Sequence, residues 1–138
     1  MRYIIFCLLS ILATASFADS NLELLDPWVR QAPPTAKNLA GYGELKNAGK
    51  STLTVASIKS PLFEKVEMHI TTFENGMMKM TEVKKLTLKP GESIYFEPGG
   101  RHFMLVKPKK PIKADIVVPL EIGLNNGDVM HFNMRVRR

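Results

Sequence analysis

Beyond its first twenty positions, the chain is dominated by short runs in which hydrophobic and polar residues alternate. A period of two residues is typical of β-strands with one buried face. Turn-forming pairs such as Pro33-Pro34, Asn75-Gly76 and Pro90-Gly91 separate the runs, and nothing reads as a long helix. The pattern predicts an all-β fold, an antiparallel β-sandwich. The runs that we interpret as strands cover residues 28–30, 41–46, 53–58, 66–73, 77–88, 93–96, 102–107, 114–122 and 129–136.

The N-terminus has a different pattern. Arg2 precedes an apolar run over residues 3–12, and the small residues Ser16 and Ala18 follow it. This order is typical of a secretory signal peptide, and the run is well short of the roughly 20 residues that a membrane-spanning helix needs. We therefore expect residues 1–18 to be a signal peptide and residues 19–138 to form one exported domain without a transmembrane segment. Residues 19–25 are expected to be a loose leader before the first strand.

Charge and cysteine content narrow the chemistry. The formal net charge is +6, which in an exported protein indicates a solvated basic face, or docking to an acidic partner or anionic headgroups, and not nucleic acid. The single cysteine, Cys7, lies within the predicted signal peptide. The mature chain is thus expected to have no disulfide, no thiol nucleophile and no thiolate metal site. Soft-metal chemistry in this domain would depend on methionine.

The segment MHITTFENGMMKM, residues 68–80, contains one histidine and four methionines. Methionine ordinarily packs in the core. Met68 fits this role, because the residues two positions before and after it are also apolar and lie on the same face of the strand. His69 points to the opposite face. A two-residue turn at Asn75-Gly76 places His69 and Met80 on one face as diagonal neighbours. A four-residue loop places them directly opposite each other, and a three-residue loop separates them.

The segment PGGRHFMLV supplies a second pair of donors. His102 and Met104 share a strand face, while Phe103 turns to the core. Two imidazoles and two thioethers thus fall on the less apolar faces, a donor set that favours Cu(I) over zinc or calcium. A blue-copper electron-transfer centre is disfavoured because it needs a thiolate. His131 lies on the face of its strand that points away from the core, and we predict that it is not a ligand.

The spacing of these donors resembles that of a known family. His69, ten residues, Met80, twenty-one residues and then His102-Phe103-Met104 match both spacings of the H-x10-M-x21-H-x-M signature. That signature belongs to the periplasmic copper chaperones called PCu(A)C, also known as DUF461. The similarity extends to Trp28-Val29-Arg30 and to Pro98-Gly99-Gly100, and it covers nearly all of the predicted mature chain.

The resemblance implies a cupredoxin-like Greek-key β-sandwich that works in the periplasm. It implies that His69, Met80, His102 and Met104 hold one Cu(I) ion at the surface. Members of the family bring copper to the Cu(A) centre of cytochrome c oxidase subunit II, often alongside a Sco-type thiol protein, so these are the expected partners. We expect a monomer without catalytic residues, in which Met78 shields the ion or assists its transfer.

Other functions remain open at this point. Copper storage or resistance is the main alternative, because it uses the same ligands and differs only in the destination of the ion. A metal-free exported β-sandwich that recognises a protein or glycan is a second alternative. An enzyme is disfavoured, since the sequence shows no evident paired carboxylates or Ser-His-Asp set.

Overall fold

The computed structural model describes residues 20–138, and in that range the chain forms ten β-strands and no helix. The all-β prediction is confirmed. Each predicted run coincides with or overlaps an observed strand, except that the run 77–88 is divided into β5 and β6. The strands are β1 (Leu22–Arg30), β2 (Asn38–Asn47), β3 (Leu53–Lys59), β4 (Phe63–Glu74), β5 (Met77–Glu82), β6 (Leu86–Leu88), β7 (Ser93–Phe96), β8 (Arg101–Pro108), β9 (Val117–Leu124) and β10 (Val129–Arg137).

The predicted loose leader, residues 19–25, is wrong over residues 22–25, and its first residue, Asp19, lies outside the described residues. β1 begins at Leu22, which pairs with Asn47 of β2, and Leu24 pairs with Leu45. Leu22 and Leu24 are both buried, so this segment carries the period-two pattern of a strand and is held in place by its apolar face. The predicted signal peptide, with Cys7, lies outside the described residues.

The strands follow one continuous hydrogen-bonded order, β5-β4-β8-β7-β2-β1-β10-β9-β3-β6, with an additional pairing of β8 with β2. Two pairs, β1–β10 and β7–β8, are parallel, which the strand pattern alone does not reveal. Met68 of β4 and Leu88 of β6, near opposite ends of this order, belong to the same buried core. The sheet therefore folds over into two layers around that core. Within residues 20–138, no helix is long and apolar enough to span a bilayer.

The packing of β8 determines where its polar residues point. Phe103 is fully buried, and its ring stacks on that of Phe96 with centroids 4.1 Å apart and planes 7° apart. Leu105 is fully buried on the same face. Because successive side chains of a strand alternate in direction, burial of Phe103 and Leu105 directs His102 and Met104 to the outer face of the sheet.

Candidate metal centre

The hairpin between β4 and β5 brings Met80 to the face that carries His69. The turn residues Asn75 and Gly76 both have positive φ, 53° and 76°, as the two-residue turn favoured by an Asn-Gly pair requires. In the resulting register Thr71 pairs with Met80, and His69 pairs with Glu82. The two-residue alternative is thus the one that the structure adopts, and His69 and Met80 are diagonal neighbours.

Strand β8 completes the group of donors. It pairs with β4 so that His102 lies directly opposite His69 and Met104 lies opposite Glu67. The two imidazole rings have centroids 5.6 Å apart and planes inclined at 47°. All four predicted ligands therefore lie on one face of three adjacent strands. No signal in the sequence revealed the direct pairing of the two histidines.

The four side chains differ in depth. His102 is buried, with 7% of its surface exposed, whereas Met80 is 53% exposed; His69 and Met104 are intermediate. Met80, His102 and Met104, together with Met78, line a shallow depression of about 320 Å³. The group is open to solvent on the β5 side and is not enclosed within the core.

A carboxylate holds His69 from one side. Nε2 of His69 lies 2.7 Å from Oε2 of Glu67, and Lys65 contacts the other carboxylate oxygen. The hydrogen bonds from Lys65 and then from His69 hold the pKa of Glu67 below its usual range, so Glu67 is ionised at neutral pH. The alternation of the strand showed that Glu67 and His69 share a face, but the contact between them was not predicted.

The other ring nitrogen of His69 is in a different environment. Nδ1 is buried and makes no hydrogen bond within residues 20–138. Buried polar atoms normally have a partner, and an exception in a native structure calls for an explanation such as an ion. A metal bound at Nδ1 would satisfy this nitrogen, so the orphaned atom supports the fit of a metal ion to this group of residues.

His102 is held through the backbone. Its Nδ1 lies 3.4 Å from the carbonyl oxygen of Gly100. Burial lowers the pKa of His102, the bond to Gly100 opposes that effect, and the nearby His69 lowers it further. The imidazole therefore stays neutral to a lower pH than an exposed histidine, and a metal must bind its neutral form.

The donor chemistry of this face suits a soft ion. Among residues 20–138, no three His, Cys, Asp or Glu side chains come together as a metal site. The candidate site is instead built from two imidazoles and two thioethers, ligands that Cu(I) accepts and that calcium and magnesium do not. A larger groove of about 580 Å³ beside β3 and β4 is lined by no histidine.

The structure places the remaining candidates elsewhere. Met77 pairs with Glu74 on the opposite face of β5 from Met78 and Met80. His131 lies on β10, where its exposed ring is 3.6 Å from the carboxylate of Glu121. Neither side chain lies on the face of β4, β5 and β8 that carries the four predicted ligands, and the predicted exclusion of His131 from the ligands stays a prediction.

The lowered pKa of His102 makes the copper-free protein sensitive to acid. When the pH is lowered from 7.5 to 5.5, His102 is protonated at a higher pH in the unfolded chain, where its pKa is near 6.5, than in the folded chain. The free energy of unfolding should fall over this range, by no more than about 1.4 kcal/mol per pH unit for one site. Urea denaturation at both pH values measures the change. The fall should be smaller in His102→Gln, and equal slopes in the two proteins would contradict the prediction.

The sequence of the chain matches a protein family and individual relatives. A family model described as "Putative lipoprotein LpqE-like" matches residues 22–136. A relative named "Putative lipoprotein Lxx21020", from Leifsonia xyli subsp. xyli, is 29% identical over 108 residues, covering 78% of this chain and 64% of the relative. The uncharacterized protein RP573 of Rickettsia prowazekii is 30% identical over 101 residues, covering 70% and 56%. The chain thus spans less than two thirds of either relative.

Solved structures share the fold at lower sequence identity. The copper-bound PCuAC domain from PmoF2 aligns with a TM-score of 0.70 at 18% identity, covering 88% of this chain and 96% of that domain. The solution structure of CuI-DR1885 from Deinococcus radiodurans aligns with a TM-score of 0.66 at 23% identity, covering 91% and 85%. The cupredoxin-like fold predicted from the sequence is confirmed.

Proposed function

This chain belongs to the LpqE-like family, and we propose that it is a periplasmic chaperone that carries one Cu(I) ion and delivers it to an acceptor protein. The fold supports the resemblance to the PCu(A)C proteins. The observation that carries the proposal is the register of β8 against β4, which sets His102 opposite His69 and Met104 beside them. His69, Met80, His102 and Met104 are the proposed ligands, and we assign the chain no catalytic residues.

The chemistry of the site supports Cu(I) as the cargo. Thioethers are soft ligands and imidazoles borderline ones, and without a thiolate this combination favours Cu(I) over Zn²⁺. Nδ1 of His69 is buried and makes no hydrogen bond in the described part of the chain, so a metal ion could occupy this position. Two solved structures with the same fold are a copper-bound and a Cu(I) form of those proteins. A competition titration against a Cu(I) chelator should give one ion per chain, whereas no binding would favour a metal-free recognition module.

The exposure of the site favours delivery. Met80 is half exposed at the rim of the shallow depression. A ligand of the acceptor protein could therefore bind the ion there before the remaining donors dissociate from it. By the resemblance to PCu(A)C proteins, the acceptor is the Cu(A) centre of cytochrome c oxidase subunit II or a Sco-type protein. The net charge of +6 suits an acidic acceptor, and transfer should slow as salt rises.

Deletion of the gene separates delivery from storage. Delivery predicts reduced cytochrome c oxidase activity that added copper restores, with unchanged copper tolerance. Storage or resistance predicts reduced tolerance to copper with normal oxidase activity. The second result would contradict delivery while leaving copper binding in place.

The adjacent residues Met77 and Met78 give a matched test of transfer. Met78 lines the depression and is 61% exposed, whereas Met77 is 70% exposed on the other face of β5. Met78→Ile should slow Cu(I) transfer to an acceptor several-fold while leaving equilibrium affinity nearly unchanged, because this thioether offers a temporary ligand at the rim. Met77→Ile should change neither. Stopped-flow transfer to a chromogenic chelator measures the rates, and equal rates in both variants would remove Met78 from the transfer path.

A further inference from the structure

The two imidazoles of the site are held by different nitrogens. His69 makes its hydrogen bond through Nε2, to Glu67, and its Nδ1 is buried without a partner among the residues that the structure describes. His102 makes its hydrogen bond through Nδ1, to the carbonyl oxygen of Gly100. Each ring therefore has one nitrogen that is hydrogen-bonded to the protein and one that makes no hydrogen bond in the described range, but the bonded nitrogen differs between them.

We propose that His69 binds the ion through Nδ1 and His102 through Nε2, and that Glu67 is a positioning residue that fixes the first of these choices. This inference rests on the proposed function, since it assigns the binding atoms of the same site. It adds a carboxylate, outside the four proposed ligands, to the residues on which copper binding depends.

The assignment follows from what each partner can accept. A carboxylate with two cationic or donating neighbours acts as an acceptor, so the short contact requires the proton of His69 on Nε2 and the lone pair on Nδ1. A backbone carbonyl can only accept, so the contact at His102 requires the proton on Nδ1 and the lone pair on Nε2. Metal-binding histidines generally donate their second N–H to a carboxylate or a backbone carbonyl, and these two contacts are of those kinds.

Glu67 also places a negative charge beside the site. It pairs with Met104 across β4 and β8, and its side chain is only 16% exposed. The four proposed ligands are all neutral, so they leave the charge of Cu(I) uncompensated. The carboxylate of Glu67 contacts His69 and lies opposite Met104. Because it is partly buried, it stabilises a cation at this site more than a fully solvated carboxylate would.

Nitrogen-15 NMR of the copper-free and Cu(I)-loaded protein tests the assignment. Long-range ¹H–¹⁵N correlations show which ring nitrogen carries the proton, and Cu(I) is diamagnetic. We expect the proton on Nε2 of His69 and on Nδ1 of His102 in both forms, with the other nitrogen of each ring shifting when copper is added. A proton on Nδ1 of His69 in the loaded protein would overturn the proposal even if copper binds with full stoichiometry.

Variants of the carboxylate and its lysine separate positioning from general structure. Glu67→Leu removes the acceptor, so His69 should show mixed tautomers without copper, and Cu(I) affinity should fall about 10- to 100-fold. Lys65→Met is the matched control, because it removes the neighbouring contact but keeps the carboxylate, and it should preserve both the tautomer and the affinity. Wild-type tautomer and affinity in Glu67→Leu would refute the positioning role.

The outcomes also distinguish this inference from the proposed function. If the wild-type protein does not bind Cu(I), both the proposed function and the assignment of binding atoms are wrong. Normal Cu(I) binding with the opposite tautomer at His69 would overturn the inference alone. Should Glu67→Leu fail to fold, the wild-type spectra still decide between these results.

Discussion

Replacing Met104 by isoleucine should lower Cu(I) affinity by at least about 100-fold, since even residues that only support metal ligands are worth about 10- to 100-fold. Met104 is half buried in the depression, beside His102 on the same face of β8. Isoleucine keeps a similar volume but has no sulfur, so the free energy of unfolding should change by less than about 1.5 kcal/mol. Competition titration measures affinity, and urea denaturation of the copper-free protein measures stability.

Met80→Ile tests the more exposed thioether in the same way, and affinity should again fall. His131→Ala is the control, because its exposed ring lies beside Glu121 on β9, away from the site. It should bind copper as the wild-type protein does. Unchanged affinity in both methionine variants would refute the ligand assignment, and loss of binding in His131→Ala with an intact fold would show that the site lies elsewhere.

Replacing Phe103 by alanine should lower the free energy of unfolding by about 3–5 kcal/mol. The ring is fully buried and stacked on Phe96, and the surrounding strands cannot close the resulting cavity completely. Because Phe103 lies between His102 and Met104 in β8, loosening it should also weaken copper binding through misplacement of both neighbours. Thermal or urea denaturation of the copper-free protein measures the loss.

Tyr95→Ala provides the comparison for Phe103, since Tyr95 lies on the neighbouring strand β7 but is 56% exposed. Its removal should change the free energy of unfolding by no more than about 0.5 kcal/mol. A loss below about 1 kcal/mol in Phe103→Ala would mean that β8 is not anchored by this stacked pair, and that the directions of His102 and Met104 have another cause.

The sequence predicted those features that depend on neighbouring residues. Alternation located most strands, and the Asn75-Gly76 pair favoured the two-residue turn that places Met80 on the face of His69, because the turn sets the register. The alternation of Leu22 and Leu24 also carried a strand signal, which the expectation of a leader overlooked. Local patterns of this kind need no knowledge of the rest of the chain.

Features that depend on distant segments were not predictable in this way. The pairing of His69 with His102 joins strands that are separated in the chain by β5, β6 and β7, and parity gives a face but not a partner strand. The division of the run 77–88 has a similar origin, because β5 pairs with β4 whereas β6 pairs with β3. A continuous sequence pattern cannot show that its two halves join different neighbours.

The unequal depth of the two thioethers has a consequence for how the proposed site would withstand oxidants. A methionine that an acceptor protein can reach is also one that peroxide or hypochlorous acid can reach. In its sulfoxide one sulfur lone pair binds oxygen, and the electron-poor sulfur that remains is a weaker soft donor for Cu(I). Met80, at 53% exposure, is therefore the more vulnerable of the two proposed sulfur ligands, while the half-buried Met104 is partly sheltered. If Met80 is a ligand, oxidation should remove it before the more deeply placed ligands, and recovery of copper binding should then depend on reduction of the sulfoxide.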